Sequence, residues 1–156
     1  MKFNKISEEQ FKKDGVDKYC SYDEIKLPRR GSTGSAGYDI YALEDIELYS
    51  GQTIKVPTGI NVELDKDKVL IIVPRSGLGF KYKTHLWNTV GVIDSDYINS
   101  DNEGHIWVKI QNESDQFCYI PKGTGICQGI IMQYFTTEDD DADGIRNGGF
   151  GSTTPK

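Results

Sequence analysis

At 156 residues the chain makes one domain with room for a sizeable core, and 37% hydrophobic against 27% charged residues is the balance of a globular protein in water. A formal net charge of -6 speaks against a nucleic-acid binder, which needs a basic face to displace counterions. No apolar run of about 18 residues is present and residues 1–10 lack the apolar stretch of a signal peptide, so a cytoplasmic location and no contact with membrane are expected.

The first element in chain order is a helix from Ser7 to Asp14. Ser7 and Gln10 have the spacing of a capping box, and Gly15 stands where a helix would stop. After it come short runs rich in β-branched and aromatic residues: TIKVPTGINVEL (53–64), KVLIIVP (68–74), NTVGVID (88–94), HIWVKIQN (105–112) and GIIMQYF (129–135). Glycine, proline, asparagine and aspartate punctuate them, which predicts an all-β barrel or jelly roll with at most one or two short helices. Within NTVGVID, Val92 and Ile93 read as buried strand, and alternation would set Asp94 and Asp96 on one face.

Three cysteines (Cys20, Cys118 and Cys127) form no CxxC pair and are expected as free thiols. The two histidines, His85 and His105, are too few for a metal site and are expected to be ordinary hydrogen-bonded groups. After Phe135 the composition changes. TTEDDDADG (136–144) carries five acids and IRNGGFGSTTPK (145–156) has little to bury. The expected organisation is a barrel over residues 1–135, of which 1–26 are an N-terminal extension, then an acidic linker at 136–144 and a flexible glycine-rich arm at 145–156.

Several stretches carry groups suited to an anionic ligand. PRSGLG (74–79) brings a guanidinium, a hydroxyl and backbone N–H groups to the end of a strand. GTGICQG (123–129) offers glycines and Gln128. The terminal GGFGST (148–153) offers glycines for close approach, hydroxyls for oxygens and Phe150 as a stacking face.

GSAGYDIYA, PRSGLGFKYKTHLWN, GVIDSDY, GTGICQ and GGFGST follow one another in that order. The series closely resembles the five ordered motifs of the trimeric dUTPase family, over about Leu27 to Thr153. The resemblance implies a β-barrel subunit, a homotrimer with active sites shared between chains, and hydrolysis of dUTP to dUMP and pyrophosphate with Mg2+ held mainly by the triphosphate. Arg75, Ser76 and Gly77 match the phosphate turn and Gln128 a phosphate-contacting glutamine. Asn88 matches the asparagine that bonds uracil, and the backbone of Gly91, Val92 and Ile93 would read the rest of the base edge. Asp94 matches the acid that orients the attacking water, which needs a base because water is a poor nucleophile. Tyr97 matches the tyrosine under the deoxyribose that leaves no room for a 2′-hydroxyl, and Asp39 an acid near the water-bound metal. Arg146, Phe150, Gly151, Ser152 and Thr153 match the arm that closes over base and phosphates. No chemical role follows for Asp96.

Three features depart from the pattern. The segment after Tyr97 is a few residues longer before Gly104, and a surface loop is expected there. Gly125 stands where the family carries a basic residue, which would remove one contact. Arg146 precedes the glycine pair by a single residue, Asn147. Two alternatives share the fold: a dCTP deaminase, and a dUTPase-like protein that senses nucleotide or engages a regulatory protein. The intact GVIDSDY and GGFGST favour the triphosphatase.

Overall fold

The computed structural model describes residues 1–144 and residue 148. Twelve strands carry the architecture and every pairing between them is antiparallel. The first, β1 (Lys2–Lys5), leads into α1 (Glu8–Lys13) and two 3₁₀ turns. The strands β2 (Arg29–Arg30), β3 (Tyr38–Tyr41), β4 (Ile46–Leu48), β5 (Thr53–Pro57), β6 (Ile60–Glu63) and β7 (Lys68–Pro74) follow, and α2 (Ser76–Tyr82) ends the first half. Then come β8 (Thr84–Leu86), β9 (Gly91–Ile93), a 3₁₀ turn at Ser95–Asn99, β10 (Trp107–Asn112), β11 (Cys118–Ile120) and β12 (Gly125–Gln133).

The strands form a five-stranded sheet in the order β2-β3-β12-β7-β9, a three-stranded sheet β5-β10-β8 and the pairs β1-β6 and β11-β4. The side chains that alternation turns inward from these sheets share one core, among them Ile40, Leu48, Leu70, Ile72, Ile110 and Ile120, none more than 2% exposed. In β10, Val108 and Ile110 point in while Lys109 points out, so the period of two read from the sequence is the one that folds. The expected all-β jelly-roll class with two short helices is what forms.

Four local expectations change. The run 53–64 is two strands, because Gly59 turns the chain at φ +70°, and β5 and β6 take different partners. Residues 76–82 form α2, a helix that two internal glycines had disguised. Val92 is 58% exposed, since β9 is an edge strand and Val92 lies on its outer face in the single protomer. Asp94 and Asp96 do not share a strand face: Asp94 is the N-cap of the 3₁₀ turn and Asp96 lies within it.

The helix at Ser7 forms as expected, with Ser7 as N-cap accepting from Gln10 N at 3.0 Å and Asp14 as C-cap. The box itself is half made. Ser7 N donates to Glu103 Oε2 at 2.8 Å, and the Gln10 side chain, buried, leaves its Nε2 unpartnered. Phe3, Ile6, Phe11 and Val16 are all buried in the common core, each worth about 1.5–3 kcal/mol of transfer energy. The extension is therefore part of the barrel.

Candidate active site

The motif residues fall into two groups on this framework. The first gathers where β3, β12 and β7 end side by side. Register sets Asp39 opposite Gln128 and Gln128 opposite Val73, so Asp39, Gln128 and Arg75 converge from three chain segments. Arg75 Nε lies 3.0 Å from Asp39 Oδ1, and Arg75 Nη1 donates to the Gly125 carbonyl at 3.2 Å. Gln128 Nε2 donates to the Pro74 carbonyl at 3.1 Å. Two glycines make this cluster fit. A Cβ on Gly125 would stand 2.6 Å from Arg75 Nη1, and one on Gly37 would stand 2.1 Å from Gln128 Oε1. Gly125 is thus the floor on which Arg75 lies, where the sequence had suggested only a missing contact.

Arg75 is the N-cap of α2 and has no side-chain cap bond. Ser76 and Gly77, both exposed, open the helix with backbone N–H groups that no helical carbonyl can take.

The second group lies on the connection from β8 to β9 and its continuation. β8 belongs to the three-stranded sheet and β9 to the five-stranded one, so residues 87–90 cross between the sheets. Asn88 is exposed on this crossing and lines a hollow of about 290 Å³ with Trp87, Lys55, Trp107 and Lys109. Thr89 next to it holds φ +66°, a left-handed conformation that costs a β-branched residue energy and marks a constrained turn. Gly91 packs its bare face against Ile72, where a Cβ would come within 3.1 Å.

Asp94 closes β9 half-exposed, and its carbonyl accepts from Tyr97 N at 3.1 Å. Tyr97 is 6% exposed; its hydroxyl donates to the His105 carbonyl at 3.0 Å and accepts from Asn102 Nδ2 at 3.1 Å. His105 is a buried hydrogen-bonded histidine, as its type suggests, and the three cysteines are free and buried. The segment 98–104 is not a plain surface loop: Ser100 and Gly104 are buried and bonded within it. Arg146, Phe150, Gly151, Ser152 and Thr153 lie outside the described residues.

The register of β7 and β9 separates the two groups. Ile72 pairs with Gly91 and Leu70 with Ile93, so Asp94 stands level with Val69. Arg75 is six residues further along β7, about 20 Å at roughly 3.3 Å per residue. One protomer holds its anion-suited cluster and its candidate base at opposite ends of a strand.

The model of the dUTPase family matches residues 23–154. The chain belongs to the dUTPase family. A deoxyuridine 5′-triphosphate nucleotidohydrolase of Lactococcus lactis is 39% identical over 132 residues, 83% of this chain and 88% of that one. One from Haemophilus ducreyi is 44% identical over 112 residues, 70% of each chain. Among solved structures, the dUTPase of Streptococcus mutans superposes with a TM-score of 0.71 at 32% identity, over 88% of this chain and 99% of that one. A mutant dUTPase from phage phi11 of S. aureus, described with a structural Mg(II) ion, superposes at 0.67 and 18% identity, over 92% of this chain and 96% of that one. That likeness speaks to the fold.

Within the dUTPase frame, sequence reasoning missed Gly37 and the bonds that tie residues 101–105 to the N-terminal segment. Gly37 lay inside a quoted motif, two residues before Asp39, but its part in seating Gln128 needs the packing to be seen. The bonds of residues 101–105 to the N-terminal segment bridge some ninety positions and leave no local trace.

Proposed function

We propose that this chain hydrolyses dUTP to dUMP and pyrophosphate in active sites built between copies of itself, three to a closed trimer. The observation that carries the reading is the separation of Arg75 from Asp94 along β7. A triphosphate under attack at its α-phosphate needs phosphate donors and base within a few ångströms of one another. One protomer supplies them at opposite ends, so the donors of one chain must serve the base of another.

In that site Arg75, Ser76, Gly77 and Gln128 hold the triphosphate, with N–H groups and a guanidinium directed at its oxygens. Asn88 and the backbone of Gly91, Val92 and Ile93 take the uracil edge. A tight turn there excludes a 5-methyl group sterically, and cytosine leaves buried donors and acceptors mismatched. Asp94 orients the water and accepts its proton as the bond to phosphorus forms. Tyr97 stands against C2′ of the sugar. The arm at 145–156, tethered by 136–144, brings Arg146, Phe150, Gly151, Ser152 and Thr153 over the ligand and shuts out water.

The donor set suits a cation that arrives with the nucleotide. Among the described residues no three His, Cys, Asp or Glu side chains gather as for a protein-held metal, and Asp39 offers one carboxylate already beside Arg75. Asp39 would approach Mg2+ carried in by the triphosphate, and the ion would supply positive charge against the leaving pyrophosphate. Among the described residues no helix is long and apolar enough to cross a membrane.

The deciding experiment incubates the protein with dUTP, dCTP, dTTP and UTP plus Mg2+ and separates the products, alongside light scattering. Release of dUMP and pyrophosphate from dUTP alone, by a particle near three times 17.5 kDa, is expected. Deamination of dCTP, nucleotide binding without turnover, or a fully active monomer would each overturn it.

A further inference from the structure

We propose that Asp14 and His105 are positioning residues for Tyr97, and that the N-terminal segment and the loop 98–104 form one brace that sets how strictly the enzyme rejects a ribose. The inference rests on the reading of Tyr97 as the wall against C2′.

The argument starts at His105, which is fully buried. Gly59 N–H donates to its Nε2 at 3.0 Å, so that nitrogen carries the lone pair and the proton sits on Nδ1. Nδ1 faces Asp14 Oδ2 at 2.6 Å, and the ring is thereby fixed from both sides. The backbone of the same residue then fixes Tyr97. Its carbonyl accepts the phenol at 3.0 Å, and the Asn102 amide bridges that hydroxyl at 3.1 Å and that carbonyl at 3.3 Å.

The loop between these residues is a strained turn. Glu103 and Gly104 are consecutive left-handed residues, at φ +56° and +68°. A Cβ on Gly104 would stand 2.8 Å from the Ile98 Cα, so the turn is also closed tightly on itself. Bonds within the loop and the Asn61 amide on the Glu103 carbonyl at 2.8 Å support it, and α1 braces it from both ends. Ser7, the N-cap, gives its N–H and hydroxyl to the Glu103 carboxylate at 2.8 and 2.7 Å. Lys13 reaches the Asp101 carbonyl at 3.3 Å, and Asp14, the C-cap, takes His105. A helix of six residues is far too short to persist alone, and here the barrel loop completes its caps.

The functional consequence follows from what steric rejection requires. A 2′-hydroxyl is refused only by a wall that cannot retreat, and a shift of about 1 Å in a positioned group is enough to change rates a hundredfold. Tyr97 has its hydroxyl tied at one end and its backbone in the 3₁₀ turn at the other. The two bonds that the hydroxyl makes, to the His105 carbonyl and from the Asn102 amide, lead through residues 102–105 to α1.

The test measures kcat/KM for dUTP and for UTP with full-length trimer and Mg2+, in Asp14→Ala, Asp14→Asn, Glu103→Ala and Tyr97→Ala, together with melting temperatures. Asp14→Ala should narrow the dUTP-to-UTP preference by about ten- to a hundredfold. Asp14→Asn keeps an acceptor for His105 Nδ1–H and should restore the preference. Glu103→Ala removes a half-buried carboxylate at the other end of α1 and leaves the fully buried His105 and its Asp14 partner in place, so it tests the brace without unpairing a buried group, and it should narrow the preference too. If Tyr97→Ala loses the preference while Asp14→Ala and Glu103→Ala keep it at lowered melting temperature, the brace is a stability element only and the proposal fails. If Tyr97→Ala keeps the preference, the role given to Tyr97 falls and the brace falls with it.

Discussion

Arg75 lies flat over Gly125, its Nη1 3.2 Å from the carbonyl oxygen and occupying the space where any other residue would carry a Cβ. The guanidinium is thereby held with its Nε toward Asp39 before any nucleotide arrives. Gly125→Ala should push Arg75 off this seat at little cost to the fold, because the clash is with the far end of a flexible side chain. A charged hydrogen bond is worth about 1.5–3 kcal/mol, so kcat/KM for dUTP should fall by roughly ten- to a hundredfold. Steady-state kinetics beside a melting curve would check it; unchanged kinetics would show that Arg75 needs no such floor.

Asp94→Asn should keep fold and nucleotide binding while losing about 10²- to 10⁴-fold in kcat, since an amide cannot accept the proton of the attacking water. Asp96, inside the 3₁₀ turn, should tolerate the same change. The reverse result would exchange the roles of the two acids.

Burial holds the His105 imidazole below its ordinary value of 6.5, and the bond to Asp14 opposes this without cancelling it. The unfolded chain therefore takes up a proton that the folded chain refuses. The stability associated with neutral His105 is present above about pH 6.5 and is lost as pH falls through the depressed folded value, at no more than about 1.4 kcal/mol per unit. Melting temperatures between about pH 7.5 and 5.5 should fall more steeply for the wild type than for His105→Gln. Parallel slopes would remove His105 from the account.

The thiols should be silent. Burial pushes Cys127 up to about 12 and raises Cys20 and Cys118 as well, so almost no thiolate is available at neutral pH. An aromatic disulfide reagent should find no reactive thiol in the native protein and all three after unfolding. Rapid native labelling would mean that the barrel opens readily.

Much of this molecule is legible from short range. Val108 and Ile110 alternate with Lys109 because one face of β10 is core, and Ser7 announces a helix because its oxygen can take a first-turn N–H. Asp39, Arg75 and Gln128 were singled out on the strength of their motifs, and the register of three strands brings them together. What stayed hidden depends on partners distant in sequence. Nothing near Ser7 tells that its second bond goes to Glu103, and nothing near His105 names Asp14. α2 was hidden for another reason: Gly77 and Gly79 lower the helix propensity of a segment that neighbouring structure shapes anyway. Val92 reads as core by composition, yet an edge strand in one protomer leaves it in solvent.

The spacing of Arg75 and Asp94 along β7 also bears on inheritance. In the shared site proposed above, a subunit without its guanidinium would still lend a sound carboxylate to its neighbour, and a subunit without its carboxylate would still lend a sound guanidinium. Arg75→Ala and Asp94→Asn chains would each make a dead enzyme alone. Unfolded together and refolded in equal amounts, they would form mixed rings in which roughly a quarter of the sites draw both intact groups from different chains. Two broken copies of the gene in one cell would then yield a working enzyme that neither encodes.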